Sequence, residues 1–210
     1  DVEASIVEQF VHVLAREKLS INPAKHPWLV VGLAAYYKQL FYQEYYPEKR
    51  LLGPLAQTSV ARFFDVDHYP IRYQNRMMYL YMSRQGLDQP LSDPITNYSR
   101  ANRQAVITGK STLVFSYLRN YTGERNFKRS MQHWLQNSVG ENNPETLLAA
   151  IRFYHNQDVS WFLGDLYSTN KKLDYKLKRT ENCTSVYTAT IKNKGDLNIP
   201  FPITGYKNGK

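Results

Sequence analysis

The sequence predicts a mainly α-helical protein that ends in a short β segment. Two observations support this fold class. Apolar residues recur at three- and four-residue spacing through most of the first 170 residues, with Gly, Pro, Asn and Asp clusters between the periodic stretches. After Lys171, alternating and β-branched patterns take over. We therefore expect a helical domain over residues 1–170 and a β-strand module over residues 171–210.

The first two helices are the most clearly patterned. Residues 5–16 carry apolar side chains at helical spacing, and Pro23 marks the next break in the chain. A second helix is predicted from about Trp28 to Tyr45, where Pro47 ends it. Its apolar face consists of Leu29, Leu33, Tyr36, Tyr37, Leu40 and Phe41.

The remaining elements follow from the same periodicities and from turn residues. The dipeptide Asn143-Pro144 is typical of a helix N-cap followed by proline in the first turn. The turn-like Asn193-Lys194-Gly195 separates two predicted strands. We expect a small sheet with an open edge, which indicates a truncated β module. The predicted helices are 55–64, 71–85, 98–120, 124–137, 144–155 and 158–167, and the predicted strands are 173–179, 185–192 and 199–206.

Length and composition narrow the class of protein. A chain of 210 residues with 42% apolar and 21% charged residues can bury one sizeable core. No stretch reaches the ~20 apolar residues of a transmembrane helix. The start at Asp1 without a leader sequence suggests part of a longer polypeptide. Cys183 is the only cysteine, which excludes an intramolecular disulfide and a multi-cysteine metal site.

The net charge of +9 is unevenly distributed along the chain. Residues 171–210 contain nine Lys or Arg and three Asp or Glu, whereas the first 170 residues have a net charge of only +3. Because the helical body is nearly balanced, we do not expect nucleic acid to be its main ligand. The basic cluster either contacts an acidic partner or anionic lipid, or protects a strand edge from aggregation. It consists of Lys171, Lys172, Lys176, Lys178 and Arg179.

One nine-residue block resembles a known family. Residues 28–36 read Trp-Leu-Val-Val-Gly-Leu-Ala-Ala-Tyr and resemble the W-L-N-E-G-F-A-x-Y block of the aminopeptidase N family of zinc peptidases (gluzincins). In that family the glutamate is the third zinc ligand, 18 residues after H-E-x-x-H. Here Val31 takes the glutamate position, and the same spacing places Glu8-Gln9-Phe10-Val11-His12 at the H-E-x-x-H position.

Two later blocks extend the resemblance over nearly the whole chain. The segment from Thr108 to Ser111 resembles the family's Y-x-K-G helix, with Lys110 at the lysine and Thr108 at the tyrosine that stabilises the transition state. Residues 158–162 resemble a D-L-x-W-F block. The resemblance implies the helical C-terminal lobe of a thermolysin-like or aminopeptidase N-like catalytic domain, followed by the start of a β-sandwich.

The chemistry that the family requires is missing from these positions. Glu8 and His12 offer two weak candidate zinc ligands at most, because Val31 has no ligating atom and catalytic zinc normally has three protein ligands. Gln9 cannot accept a proton as a general base, an effect worth ~10²–10⁴-fold in rate. Thr108 has a shorter reach than a tyrosine, so the oxyanion would lose a hydrogen bond. We therefore expect no catalytic residue, no metal and no bound cofactor.

These observations predict a catalytically inactive aminopeptidase-like domain, with a binding or structural role in a larger protein. A peptide or protein in the family's cleft is the expected partner. The alternative is an atypical zinc metallopeptidase whose site residues lie outside this chain or in another alignment register. A third reading is an interaction module that presents its tyrosine-rich helices to a protein. Related domains occur in bacterial envelope proteins, so the resemblance implies an extracytoplasmic location.

Several residues have simpler interpretations beside these. Glu8 and His12 fit an i,i+4 pair on a half-buried helix. Lys110 fits a helix residue whose stem packs while its ammonium stays in water; a phosphate-binding P-loop is rejected because Gln104 replaces the required glycine. The histidines other than His12, including His68, show no ligand-like spacing to carboxylates. The tyrosines line a peptide or glycan groove or pack between helices; they include Tyr36, Tyr37, Tyr42, Tyr45, Tyr46, Tyr69, Tyr73, Tyr79 and Tyr81.

Overall fold

A computed structural model describes residues 2–63, 65–183, 186–201 and 203. Helices dominate this part of the chain, and a two-stranded antiparallel sheet follows them. The α-helices are α1 (Val2–Val13), α2 (Leu33–Tyr45), α3 (Ser59–Phe63), α4 (Gln74–Arg84), α5 (Arg100–Asn102), α6 (Ser111–Thr122), α7 (Glu124–Gln136) and α8 (Pro144–Tyr154), and the strands are β1 (Tyr175–Cys183) and β2 (Val186–Asn193).

Within the described residues, four helical stretches have π geometry, which is rare and usually limited to single turns. They extend or connect the α-helices, and every one of them buries apolar side chains. Three short 3₁₀ turns lie elsewhere in the helical body. The π segments are Leu14–Lys18, Trp28–Gly32, Arg103–Lys110 and Phe162–Tyr167, and the 3₁₀ turns are Gly53–Gln57, Ile71–Tyr73 and Ile95–Asn97.

Trp28 lies at the centre of the hydrophobic core. Its side chain is fully buried at the start of the π turn that leads into α2. The ring stacks on Phe115 of α6 with 5.5 Å between centroids, and Phe162 lies 5.9 Å away. Aromatic pairs at these distances add about 0.5–1.5 kcal/mol to the burial of their area. One ring therefore joins α2, α6 and the last helical segment.

The start of α2 and the start of α6 approach each other closely at Gly32. A Cβ placed on Gly32 would lie 2.2 Å from the Cβ of Ser111. Real Cβ atoms do not approach to that distance, so only glycine allows this contact. Gly109 makes a similar contact, with the Asn75 carbonyl oxygen 2.4 Å from an added Cβ. The two glycines set how closely α2 and α4 pack on the 103–122 helical stretch.

The α7–α8 hairpin is fixed by a capping box and a buried amide. The Asn143 side chain accepts a hydrogen bond from the Thr146 N–H, and the Thr146 hydroxyl oxygen accepts one from the Asn143 N–H. Trp134 Nε1 donates to Asn142 Oδ1 at 2.9 Å, while Asn142 Nδ2 donates to the Leu19 carbonyl at 2.8 Å. These bonds tie α8 and α7 to the segment that follows α1.

The β hairpin leads back into the helical core. β1 and β2 pair along their length, with one irregularity between Leu177 and Arg179. After β2, Leu197 and Ile199 are buried in the main hydrophobic cluster with the helical residues. The Tyr175 hydroxyl donates to the Ile199 carbonyl at 2.9 Å. The segment after the hairpin thus contributes to the same core as the helices.

The mainly helical fold with a short β segment at its C-terminal end is confirmed, and several boundaries differ from the prediction. Residues 158–161 precede the last helical segment, and 55–64 is split between a 3₁₀ turn and α3. The described sheet has two strands where three were predicted. Of the predicted strand 199–206, residues 199–201 and 203 are not in a strand; residues 202 and 204–206 lie outside the described part. The turn predicted at residues 193–195 begins at the end of β2, where Asn193 Oδ1 accepts a hydrogen bond from the Gly195 N–H at 3.0 Å, but no described strand follows it.

One face of α1 is apolar and exposed. Val2, Ile6, Phe10 and Val13 follow each other at three- and four-residue spacing, and each is more than half exposed. Fully exposed apolar stripes of this kind are unusual on a helix of a globular protein. Within the described residues, no helix is both long and apolar enough to span a lipid bilayer.

Candidate functional site

The five residues at the family's site positions lie on three segments. Glu8, Gln9 and His12 are on α1, Val31 is on the following π turn, and Thr108 is on the Arg103–Lys110 segment. Glu8, His12 and Val31 are half-buried, Gln9 is exposed and Thr108 is buried. Their burial therefore differs from residue to residue, and Gln9 lines a cavity on the exposed face of α1.

Glu8 is held by a lysine of the neighbouring helix. Its Oε2 lies 2.7 Å from Lys38 Nζ, and both side chains are about 70% buried. The prediction that Glu8 pairs with His12 along α1 was wrong, because Glu8 pairs with Lys38 across the α1–α2 interface. A carboxylate that shares a charge-assisted bond with a lysine is a poorer metal ligand than a free one. The family's first ligand position therefore contributes to helix packing here.

Lys110 is buried, contrary to the expectation that its ammonium stays in water. The residue is 3% exposed, and its Nζ donates to the Thr169 carbonyl at 2.8 Å. Burial lowers the pKa of Lys110 to about 8, although the nearby Asp88 and Asp93 carboxylates act to raise it. The sequence pattern could not predict this burial, because it depends on residues 165–170 folding back over the helix.

A second buried charge lies near this lysine. Asp88 is 4% exposed, and neither carboxylate oxygen has a hydrogen-bond partner within the described residues. Tyr79 is close to it, and burial together with the Asp88 charge raises the pKa of the Tyr79 phenol to about 12. Lys110, Asp88 and Tyr79 form a buried polar cluster between α4 and the Arg103–Lys110 segment.

One cavity lies between α1, α2 and α7. We call it the α1–α2–α7 groove. Its volume of about 570 Å³ is within the range of ~300–1,000 Å³ typical of small-ligand sites. None of the five family-position residues lines it. Its apolar walls include Val11, Leu14, Leu33, Leu40, Phe127 and Met131.

Polar groups are gathered in one part of this groove. Tyr36 lines it and is 1% exposed; its buried hydroxyl interacts with the Arg119 side chain, although the geometry of that contact is poor. Burial raises the pKa of Tyr36, while the Arg119 guanidinium nearby acts to lower it. Arg119 Nη2 lies 2.5 Å from Glu124 Oε1, and both residues line the groove. The Arg119–Glu124 ion pair, Lys128 and Gln132 are therefore the polar part of a mostly apolar lining.

The tyrosines are divided between a groove and the surface. Tyr36 and Tyr37 line the α1–α2–α7 groove. Tyr69, Tyr73 and Tyr81 line another cavity beside α4, together with Arg76 and Arg84. Tyr45 and Tyr46 are exposed, and Tyr42 packs into the protein. Some tyrosines therefore line cavities and others pack, and a peptide or glycan ligand for them stays a prediction.

A group of side chains that could ligate a metal ion occurs where the sequence predicted none. Donor atoms of Asp65, Asp67 and His68 lie within 4.8 Å of one another, and His68 Nδ1 is 3.4 Å from Asp65 Oδ1. The spacing Asp-x-Asp-His was visible in the sequence, so the expectation that His68 has no carboxylate neighbours was wrong. Asp65 and His68 are exposed and Asp67 is only half-buried, and such acidic surface groups are common without a bound cation. We assign no function to this group.

Comparisons with known proteins identified no relative of this chain. No protein-family model, no curated protein and no solved structure matches the chain. The resemblance to zinc aminopeptidases is therefore carried by the three sequence blocks alone.

Proposed function

We propose that this chain is a non-catalytic, aminopeptidase-like domain that binds a peptide or protein segment in the α1–α2–α7 groove. The observation that carries the proposal is the groove itself, a cavity of about 570 Å³ whose lining is mostly aliphatic and aromatic. Pockets that bind ligands are typically of this size and apolar, with a small number of polar groups.

The state of the family-position residues supports the non-catalytic part of this proposal. Val31 supplies no ligating atom, Gln9 no general base, and the Glu8 carboxylate is already paired with Lys38 at 2.7 Å. A zinc peptidase requires a metal held by three protein ligands and a base beside the metal-bound water. At these positions, the contact between Glu8 and Lys38 joins α1 to α2.

The groove is tested with fluorescein-labelled peptides that end in three leucines. Leu135 lines the groove and is half-buried, so Leu135→Asp places a charge in the apolar wall. We expect this variant to weaken peptide binding at least tenfold, measured by fluorescence anisotropy. Leu55→Asp is the matched control, because Leu55 is 65% exposed and lies outside the groove. Equal affinity of the two variants would show that the peptide binds elsewhere.

The same protein preparation tests the absence of catalysis. After incubation with equimolar zinc and desalting, metal content is measured by plasma mass spectrometry, and aminoacyl reporters are assayed for hydrolysis. We expect far less than one zinc per chain and no zinc-dependent hydrolysis. Stoichiometric zinc, with hydrolysis abolished by His12→Ala, would replace this proposal with the atypical peptidase.

A further inference from the structure

The cavity beside α4 is lined by tyrosines and arginines, and we call it the α4 cavity. Its volume of about 770 Å³ is within the ~300–1,000 Å³ typical of ligand sites. Its lining contains the spacing Tyr-x-x-Arg twice, as Tyr73 with Arg76 and as Tyr81 with Arg84. Residues three apart are neighbours on a helix surface, so each pair presents one ring and one guanidinium together.

Both pairs are accessible from solvent. Arg76 and Arg84 are exposed, and Tyr81 is 63% exposed. The Tyr81 ring makes no aromatic or cation–π contact within the described residues. The Tyr73 ring is half-buried, and the guanidinium carbons of Arg72 and Arg76 lie 5.1 and 5.6 Å from its centroid. Two cations therefore meet at one end of the cavity, and an uncovered ring lies at the other.

The protein does not neutralise the positive charge of this surface. In the part of the chain that the structure describes, no carboxylate lies at ion-pair distance from Arg72, Arg76 or Arg84. Residues 68–87 contain these three arginines and no Asp or Glu. The near balance of charge over residues 1–170 argued against nucleic acid as the main ligand of the helical body, but that average conceals this segment. Grouped cations of this kind attract anionic ligands.

A ring beside a guanidinium suits the two parts of a nucleotide. Nucleobases stack on tyrosine rings, and a guanidinium binds phosphate oxygens through two parallel hydrogen bonds. An acidic peptide would use the arginines and leave the exposed Tyr81 ring unused. The two Tyr-x-x-Arg pairs are eight residues apart, which is about 12 Å along a helix. Two such pairs in one cavity favour a strand with repeated bases and phosphates over a single nucleotide.

We propose that the α4 cavity binds a short stretch of single-stranded nucleic acid, with a base stacked on Tyr81 and phosphates bound by Arg76 and Arg84. The cavity shares no lining residue with the α1–α2–α7 groove, so this inference goes beyond the proposed function and does not depend on it. Contacts to base faces and phosphates do not read base edges. We therefore expect weak sequence preference and strong dependence on salt.

The test compares two strands of equal charge on the unmodified full chain. The probes are fluorescein-labelled octathymidylate and an abasic strand with the same number of phosphates, and fluorescence anisotropy measures their affinities in about 50 mM salt. We expect octathymidylate to bind at least fivefold more tightly, because only this strand supplies rings for stacking. For each phosphate bound, the logarithm of its affinity should fall by about 0.7 per tenfold increase in salt.

Two variants locate the binding site. Tyr81→Leu removes the exposed ring, and should weaken octathymidylate at least fivefold while leaving the abasic strand unchanged. Arg84→Gln should weaken both strands and reduce the salt slope by about 0.7. The matched controls are Tyr45→Leu and Arg125→Gln, because both residues are exposed and neither lines the α4 cavity. Both controls should bind octathymidylate as the native chain does.

Four results would overturn this inference. Equal affinity for octathymidylate and the abasic strand would mean that charge alone binds the probe. Equal effects of the cavity variants and their controls would place the site elsewhere. Polyglutamate that competes better than unlabelled octathymidylate would make an acidic protein segment the ligand. Thymidine monophosphate that competes as well as the strand would make it a single nucleotide. The two-strand comparison needs no variant, so it holds even where a substitution disturbs folding.

Discussion

Lys110 is a charged residue whose burial lowers the stability of the fold. Its ammonium has only the Thr169 carbonyl at hydrogen-bond distance among the contacts described, and the Asp88 carboxylate nearby interacts with Tyr79 without a hydrogen bond to the ammonium among the described residues. Two opposite charges that are buried without direct pairing retain most of their desolvation penalty. The buried cluster of Lys110, Asp88 and Tyr79 therefore lowers the free energy of unfolding, by an amount that depends on pH.

The stability of the protein should therefore rise with pH above neutrality. Burial lowers the pKa of Lys110 to about 8 from an ordinary value of 10.5. Between these values the unfolded chain binds a proton that the folded chain does not, so the free energy of unfolding increases with pH. The gain from this group between pH 7 and pH 9.5 is about 2 kcal/mol.

Urea unfolding of the native chain and of Lys110→Met at the two pH values isolates this contribution. Tyrosine titration is common to both proteins and cancels in their difference. We expect the native chain to gain stability relative to the variant as pH rises. A difference that stays constant with pH would mean that the ammonium is solvated.

At the scale of elements, the contact between α2 and α6 depends on Gly32. An added Cβ would lie 2.2 Å from the Ser111 Cβ, so one of the two helices must shift. Gly32→Ala should lower the free energy of unfolding by about 1–3 kcal/mol, the usual cost of overpacking. Thermal denaturation followed by circular dichroism measures it.

Gly164 provides the matched glycine for this experiment. It is also in a π-helical segment, and an added Cβ there meets no atom within 4 Å. Gly164→Ala should be neutral or slightly stabilising, because alanine restricts the unfolded chain. If both substitutions were equally harmful, backbone geometry rather than the close contact would explain the effect of Gly32→Ala.

The elements also show which features a sequence can predict. The Asn143 cap was predicted correctly because a capping box involves only residues three apart. The Glu8–Lys38 pair was missed because it depends on how α1 and α2 align, which neither helix specifies alone. The π segments were missed as well, since their apolar spacing over five to eight residues is close to that of an α-helix.

The candidate site was predictable only in part. Tyr36 and Tyr37 were expected to line a groove or to pack, and they line one. The rest of its lining comes from α2 itself and from α1 with the residues that follow it, α6 and α7, and these segments meet only in the folded chain. The five family-position residues were easy to find from spacing, yet they lie outside the groove. Residue spacing locates the positions of a known motif in the sequence, whereas a cavity depends on how the helices pack against each other.

For the whole molecule, the return of the chain after β2 bears on how it unfolds. Leu197 is 1% exposed and Ile199 is 3% exposed, and both lie in the cluster that includes Trp28 and Phe115. The boundary predicted at residue 170 stays a prediction. The shared core nevertheless favours a single cooperative unfolding transition for the helical body and the hairpin.

Leu197→Ala tests this coupling. A buried leucine truncated to alanine typically costs about 2–5 kcal/mol. Tryptophan emission reports on the helical body through Trp28 and Trp134, which are buried there. We expect guanidinium unfolding followed by tryptophan emission to shift to lower denaturant as one transition. An unchanged midpoint would indicate that residues 171–210 fold separately; Leu177→Ala on the exposed face of β1 is the control.

The contact between Gly32 and Ser111 also restricts how this protein can change over evolution. The space is limited from both sides, so a larger residue at either position requires the other helix to move. Substitutions at positions 32 and 111, which are 79 residues apart in the sequence, are therefore coupled. Among descendants that keep this fold, we expect position 32 to remain glycine and position 111 to admit only glycine, alanine or serine.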